Sequence, residues 1–449
     1  MLSIAPTQQQ RTVSIKAIVP PLGIEESKEE QAIAIIGDPD PPERERLPFF
    51  KDPKIKFSIW TILKDSIGKE LSKISVPVYF NEPLGILQKG LGPFEFAGIL
   101  DDACNEPNKD KRLALAALFF CAQMTTIEKM PSKPFNPLLG ETYEFIAPGG
   151  KYKFLGEQVS HHPPVSAFYT VGESGYIRNI SMKVQTSFSK GTLYFSNAYK
   201  EYLDIPRYGE SFEYTPGKKS IHNLIIGTPY LEITGKIRLI DRSCPTERYA
   251  EIEFFKRGWS DTNCHKLAGN VYSAAGVVAY RIEGKYSKSI SVINARTGVV
   301  EYTWTKQPYP ENWEYQYGMT QYALQMNYLP NTLKPHLPPT DTRLRPDQRA
   351  LENGDFKLAN AEKLRLEEKQ RAIRKYNEKK KSDHKPYYFE EYSNPDDPSQ
   401  PYFRYNGLYF EQDRKNQDWS RLPDLYNEVY PEDFAKVLEI KQDITTKKK

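Results

Sequence analysis

Between Tyr143 and Thr305 the chain is written in short runs of Tyr, Phe, Val and Ile, each cut off by Gly, Asn, Ser or Pro. Ser166–Val171, Ser181–Phe188, Thr192–Phe195, Leu231–Ile240, Ala250–Phe255 and Val277–Ile282 are examples. β-Branched and aromatic side chains suit a pleated, half-buried surface, and the residues between them suit turns. So many strands at this spacing predict one large antiparallel sheet, closed or nearly so. The composition agrees: 30 tyrosines and 35 prolines favour strands and turns over a helical bundle, and 39% hydrophobic residues suffice for a sizeable core.

The flanks read differently. Residues 1–46 mix Gln, Glu and Pro and suggest a mobile leader. Trp60, Leu63, Ile67 and Leu71 recur at three- and four-residue steps, which predicts an amphipathic helix over Phe57–Leu71. Such a helix is either an ordinary core-facing one or a movable cover for something apolar, and the pattern does not choose. Lys111–Met124 predicts a buried helix, apolar almost all round, and the charge-rich stretch Leu351–Lys381 a long exposed one. An aromatic tail follows, Tyr387–Tyr430. The expected division is therefore a leader (1–46), a main β unit with its N-terminal helical region at about 54–79 (47–345), and a helical and aromatic part packing on it (346–449).

Several classes are excluded. A net charge of +4 is too small to attract nucleic acid over the whole surface, so an anionic partner needs a local basic cluster. Cys104, Cys121, Cys244 and Cys264 lie far apart with no C-x-x-C pair, against both a zinc site and a secreted disulfide framework. Met1–Gln10 lacks a basic-then-apolar signal pattern. The longest apolar run, Leu113–Ala122, is about half of a membrane span. The expectation is a cytosolic chain that touches membranes only peripherally.

Three segments have the means for chemistry. In Glu157-Gln158-Val159-Ser160-His161-His162-Pro163-Pro164, two of six histidines are adjacent. Neighbours on a regular strand point to opposite faces, but the prolines end regular pairing, so both imidazoles can reach one anion at a strand end. The alternative is a strand terminus with a core histidine. The rigid loop Lys133–Glu141 offers a point charge at Lys133, an amide at Asn136 and free backbone N–H groups, parts that suit a phosphate or an inositol ring. Lys363, Glu367 and Arg371 recur at i, i+4 and i+8, where Glu367 can orient two cations. A solvated charge ladder reads the same way, and Arg374 is expected to face elsewhere.

Together these segments resemble the oxysterol-binding protein family. Glu157–Pro164 is similar to its fingerprint, and Lys133–Glu141 to its Lys-Pro-x-Asn-Pro-x-Leu-Gly-Glu block. Leu337–Asp347, the helix Glu362–Arg371 and the stretch Phe57–Leu84 resemble further blocks, so the likeness spans roughly Arg46 to Tyr430 in order. It implies an α+β, mainly β fold: a large near-complete antiparallel β-barrel around a lipid tunnel, with an N-terminal helical lid and a helical C-terminal part. It implies a lid face of Trp60, Leu63, Ile67 and Leu71, and a phosphatidylinositol 4-phosphate headgroup held by Lys133, Asn136, His161, His162, Lys363, Glu367 and Arg371. A second lipid competes for the tunnel; Phe80-Asn81-Glu82-Pro83 looks like sterol-type members, and Gln123 is a candidate for the sterol hydroxyl or a satisfied core amide.

The function implied is an intracellular lipid-transfer protein exchanging these lipids between membranes, at membrane contact sites, without cofactor, metal or catalysis. A lipid sensor using the same pocket is the alternative. A lipid or phosphoinositide hydrolase fits less well, because no G-x-S-x-G elbow and no cysteine beside a phosphate loop is present. With so few residues before Arg46, no pleckstrin-type domain or ankyrin repeat is expected there. Phe49-Phe50-Lys51-Asp52 superficially resembles a two-phenylalanine recruitment motif, with Lys where an acid is expected.

Overall fold

The computed structural model describes residues 43–52, 77–128, 132–244, 248–258, 262–393 and 401–429. The expected helix with Trp60, Leu63, Ile67 and Leu71 lies outside them, as does the expected leader up to position 42.

The strand-rich region forms two sheets instead of one. The larger has twelve strands that neighbour one another in chain order: Thr142–Ile146, Tyr152–His161, Pro164–Gly172, Ile177–Met182, Glu201–Ile205, Glu210–Tyr214, Gly235–Asp241, Tyr249–Phe254, Lys266–Tyr272, Val278–Lys285, Ser289–Asn294 and Val300–Thr305. Every pairing between them is antiparallel. Registered rows of apolar residues fix the inner face, as in Leu239, Ala250, Val271 and Tyr280 across four strands. A slip of one residue would turn each of these side chains to solvent.

The second sheet has four strands, Val184–Ser189, Thr192–Asn197, Lys219–His222 and Tyr230–Ile233, inserted twice into the meander. The runs Ser181–Phe188 and Leu231–Ile240 therefore change sheets midway, at Lys183 and Thr234. The twelve-stranded ladder is linear, ending at Thr142–Ile146 and Val300–Thr305, which do not pair with each other among the described residues. Apolar side chains bridge the gap. The Phe94 ring lies 5.5 Å from Tyr152, beside the first edge, and Phe96 meets Trp304 of the last strand edge-on at 5.4 Å.

The buried helix is Lys109–Ala122, started by Asn108, whose side chain accepts from the N–H groups of Asp110 and Lys111. From Leu113 to Ala122 no residue exceeds 2% exposure, and the helix packs against the strands from Tyr249 to Asn294. A helix this apolar is stable only when wrapped on every side. No helix among the described residues is long and apolar enough to cross a membrane.

The charge-rich stretch is two helices, Pro346–Glu352 and Phe356–Lys380. The break is at Gly354 (φ 79°), where the Phe49 ring packs so closely that a Cβ would lie 2.4 Å from it. Phe49 also meets Phe356 edge-on, and Lys51 Nζ donates to Tyr79 O at 2.7 Å. The two-phenylalanine motif is thus packed on the body of the protein, which argues against its recruiting a partner as a free peptide. Arg44, within the expected leader, pairs with Glu352 at 2.7 Å. The aromatic tail contains a hairpin, Phe389–Ser393 with Pro401–Tyr405, docked on the large sheet through Tyr405 stacked on Tyr169 at 4.3 Å.

Candidate functional site

The strand Tyr152–His161 ends in a built turn. Gln158 Nε2 donates to Ser160 O (2.7 Å), its Oε1 accepts from Ser166 (2.6 Å), and Ser160 Oγ donates to Pro163 O (2.8 Å). The His162–Pro163 bond is cis. Despite the alternation of a regular strand, the two imidazole rings come together, 4.7 Å between centroids. Glu157, fully buried, accepts from the N–H groups of Tyr387 (2.7 Å) and Tyr388 (2.9 Å), so this residue pins the aromatic tail and does not face a ligand.

The Lys133–Glu141 loop starts as a strand, Lys133–Phe135, parallel to Asn81–Gly85. Lys133 Nζ lies 3.3 Å from Asn136 Oδ1, and Arg345 holds the loop from below through Asn136 O (2.9 Å) and Glu141 Oε2 (2.8 Å). The long helix Phe356–Lys380 supplies the third side. Gln370 joins all three elements: its Oε1 accepts from Leu139 N–H at 3.0 Å and its Nε2 lies 2.8 Å from His161 Nε2. Because an N–H can only donate, the amide orientation is fixed, and a neutral His161 accepts at Nε2 and carries its proton on Nδ1.

On the helix, Glu367 lies between Lys363 (3.9 Å) and Arg371 (3.6 Å), as the spacing predicts. Arg371 is the outlying member, 51% exposed at its side chain and also paired with Glu368 at 2.6 Å. Arg374 is not turned away: its Nη1 lies 2.5 Å from His162 Nε2, so it belongs to the site. The reason is angular. At about 100° per residue, Gln370 and Arg374 fall within about 20° of Lys363 on the helix, whereas Arg371 has drifted about 80°. Gln370 and Arg374 are the residues that sequence spacing missed, and the i+7 and i+11 positions are the signal that finds them.

These groups crowd positive charge. Burial first, then the neighbouring Lys363, holds the Lys133 ammonium down to about 8. Burial also lowers Lys363. His161 is pushed down to about 4 by burial, with His162 and Arg374 adding to the effect. A cluster in which burial holds Lys133, Lys363 and His161 below their ordinary values favours an incoming anion, whose charge opposes these shifts. Among the described residues no group of three His, Cys, Asp or Glu side chains is arranged to hold a metal ion.

Gln123 lies apart from this cluster, at the end of the buried helix, and its Oε1 is 3.4 Å from Arg178 Nη2. Arg178 is 2% exposed, pairs with Glu201 at 2.5 Å, and lies over the rings of Phe94, Phe119 and Phe120 at 5.3–5.6 Å. Nothing in the local sequence Tyr176-Ile177-Arg178 marked that arginine as interior.

The family profile described as Oxysterol-binding protein matches residues 58–414. Oxysterol-binding protein-related protein 7 of Homo sapiens is 37% identical over 350 residues, covering 78% of this chain and 41% of that protein. Oxysterol-binding protein-related protein 3 of Mus musculus is 35% identical over 370 residues, covering 81% and 42%. The chain thus spans less than half the length of these curated relatives. The crystal structure of the Osh1 ORD domain in complex with ergosterol superposes with a TM-score of 0.78 at 30% identity, over 86% of this chain and 95% of that one. The Osh3 ORD in complex with PI(4)P, from Saccharomyces cerevisiae, gives 0.74 at 28% identity, over 86% and 99%.

Proposed function

The chain belongs to the oxysterol-binding protein family, and from that premise we propose that it is a carrier that binds phosphatidylinositol 4-phosphate and a sterol in competition and exchanges them between membranes. The observation that carries this reading is the convergence of Lys133, Asn136, His161, His162, Lys363 and Glu367, together with Gln370 and Arg374, on one cation-rich end of the large sheet, with Arg371 at its margin. A phosphomonoester needs several charge-assisted donors, and this set supplies them. The relatives add support: one solved neighbour holds PI(4)P and another ergosterol.

In this reading the twelve strands and the helical segments across their gap form the near-complete barrel, and the lipid's apolar part lies within. Exposing that part would cost about 25 cal/mol per Å², so a carrier has to enclose it. Among the described residues the site offers donors, and Ser160, beside the histidines, spends its hydroxyl on Pro163 O. Binding and release, not hydrolysis, is the chemistry it suits. A cytosolic, peripherally membrane-bound location follows from that role. Transfer of phosphatidylinositol 4-phosphate between two liposome populations tests the proposal: accelerated transfer with sterol moving oppositely is expected, and binding without transfer would make the chain a sensor instead.

Two further outcomes are expected. Charge reversal at Lys363 or Arg374 weakens phosphatidylinositol 4-phosphate binding at least about tenfold, the loss of one charge-assisted contact of about 1.5–3 kcal/mol, and reversal at the outlying Arg371 weakens it less. Equal, small effects at all three positions would reduce the stripe to a solvated face. For the proposed lid, removing residues 53–71 alone, which keeps the packed Arg44, Leu47, Phe49 and Lys51 in place, leaves the rest folded but lowers sterol affinity, since an uncovered ligand stays partly wetted. Unchanged affinity in the shortened chain would place the cover elsewhere.

A further inference from the structure

The second sheet projects from the same end of the molecule as the histidine pair. In the ladder His161 faces Pro164, and Ser166, one turn of the pleat away, faces Met182. The strand Ile177–Met182 therefore runs toward the histidines, and the chain continues through Lys183 into Val184–Ser189. That strand adds about 20 Å of extended backbone beyond Met182. The strand Glu210–Tyr214 leaves at the same end, Tyr214 facing Glu201 and Glu201 facing Ile180, and leads into Lys219–His222.

Two loops meet at the far end of this sheet. Asn223 Nδ2 donates to Thr228 O at 3.2 Å, closing a tight loop. Leu224, 5% exposed, anchors it, and Leu224 N–H donates to Gly191 O of the adjacent hairpin at 3.0 Å. The apex so held presents Ile225 (46% exposed) and Ile226 (83% exposed) to solvent. A folded protein has no packing reason to fix two isoleucines in water at the end of an arm.

The charge along the arm is one-sided. Residues 183–197 and 214–231 contain Lys183, Lys190, Lys218 and Lys219 and no Asp or Glu. The carboxylate of Glu232 just beyond is buried and paired with His222 at 2.9 Å. Lys190 and Lys218 are exposed. We propose that this apex is a membrane anchor: Ile225 and Ile226 enter the outer layer of an anionic bilayer while Lys190, in the adjoining hairpin, meets its headgroups and the other lysines lie farther back along the arm. Apolar residues at a tip with cations set back from it match the depth profile of a lipid surface, apolar below and negatively charged above. The contact would hold the histidine end toward the bilayer from which a phosphoinositide is drawn. That last consequence rests on the proposed function; the anchor itself does not.

The test is sedimentation with vesicles of phosphatidylcholine, with and without phosphatidylserine, and with no phosphoinositide in either. Ile225→Asp with Ile226→Asp is expected to weaken vesicle binding about tenfold or more. Binding of a short-chain, water-soluble phosphatidylinositol 4-phosphate should be unchanged, which also shows that the variant is folded. In a separate Ile226→Trp variant the introduced indole should shift to the blue and be quenched by brominated lipid. Equal vesicle binding by wild type and the double variant, or an indole that brominated lipid leaves bright, overturns the proposal. Self-association that the double variant abolishes would overturn it in favour of a contact between two copies. Loss of the short-chain ligand from wild type, with vesicle binding intact, would sink the headgroup reading and leave the anchor standing.

Discussion

Replacing His161 and His162 together by alanine is expected to weaken phosphatidylinositol 4-phosphate binding by more than about a hundredfold and leave the fold intact. Two hydrogen bonds to a charged group, at about 1.5–3 kcal/mol each, set that magnitude. The fold survives because the turn is held by Gln158, Ser160 and Ser166, not by the imidazoles. The pH dependence gives an independent check. His161 is held down to about 4 in the free protein, so it is neutral at pH 7. A dianion placed in the site raises that value and also the value of Lys133, held down to about 8 in the free protein, so near pH 8 binding takes up a proton chiefly at Lys133 and affinity rises as pH falls through about 8. Below about pH 6 the phosphomonoester itself gains a proton, and the advantage fades. Calorimetry in two buffers of different ionisation enthalpy reads the uptake directly. A folded double variant that still extracts the lipid would remove the histidines from the site, and binding with no proton uptake near pH 8 would remove Lys133 from it.

How much of this was readable in the residues depends on whether the signal was local. The strand runs were legible because alternation and turn residues act within a few positions, and the buried helix was legible because Leu113–Ala122 has no polar face to leave outside. The change of sheet at Lys183 and Thr234 was not, since each run stays strand-like on both sides and only its partners differ. The His161–His162 pair and the Lys133 loop were marked by proline, whose effect on pairing is local. The helix stripe was half legible: reading it as i, i+4, i+8 followed a drifting line, which ran out to the exposed Arg371 and passed over Gln370 and Arg374. Arg178 and Arg345 could not be told from surface arginines, because what buries them are carboxylates and rings distant in sequence.

Arg345→Met is expected to be strongly destabilising, by about 3–5 kcal/mol in the unfolding free energy from denaturant titration at pH 7.5. Arg345 is 3% exposed, and one guanidinium serves three partners: Glu141 Oε2 at 2.8 Å, Asn136 O at 2.9 Å, and Asp347 at 2.9 and 3.1 Å. Methionine fills much of the volume but leaves the buried carboxylates of Glu141 and Asp347 without the guanidinium that joins them. Glu141 is already raised above the usual carboxylate range by burial, with Arg345 opposing that rise. Without the arginine it rises further, and a group raised in the folded state stabilises folding below its unfolded value of about 4.3 and loses that contribution as pH climbs. The penalty should therefore be largest at neutral pH and shrink as pH falls toward about 5. Headgroup binding should weaken as well, because Arg345 is what fixes the carbonyl of Asn136 and, through Glu141 and its acceptance from Leu138 N–H at 2.9 Å, the far end of the loop. Arg371→Met, on the exposed side of the same stripe, is the matching control, with a stability change within about 0.5 kcal/mol. If Arg345→Met unfolds within about 1 kcal/mol of wild type, or its deficit does not narrow in acid, then the loop is held by the backbone pairing of Lys133–Phe135 with Asn81–Gly85 and not by the buried charge network.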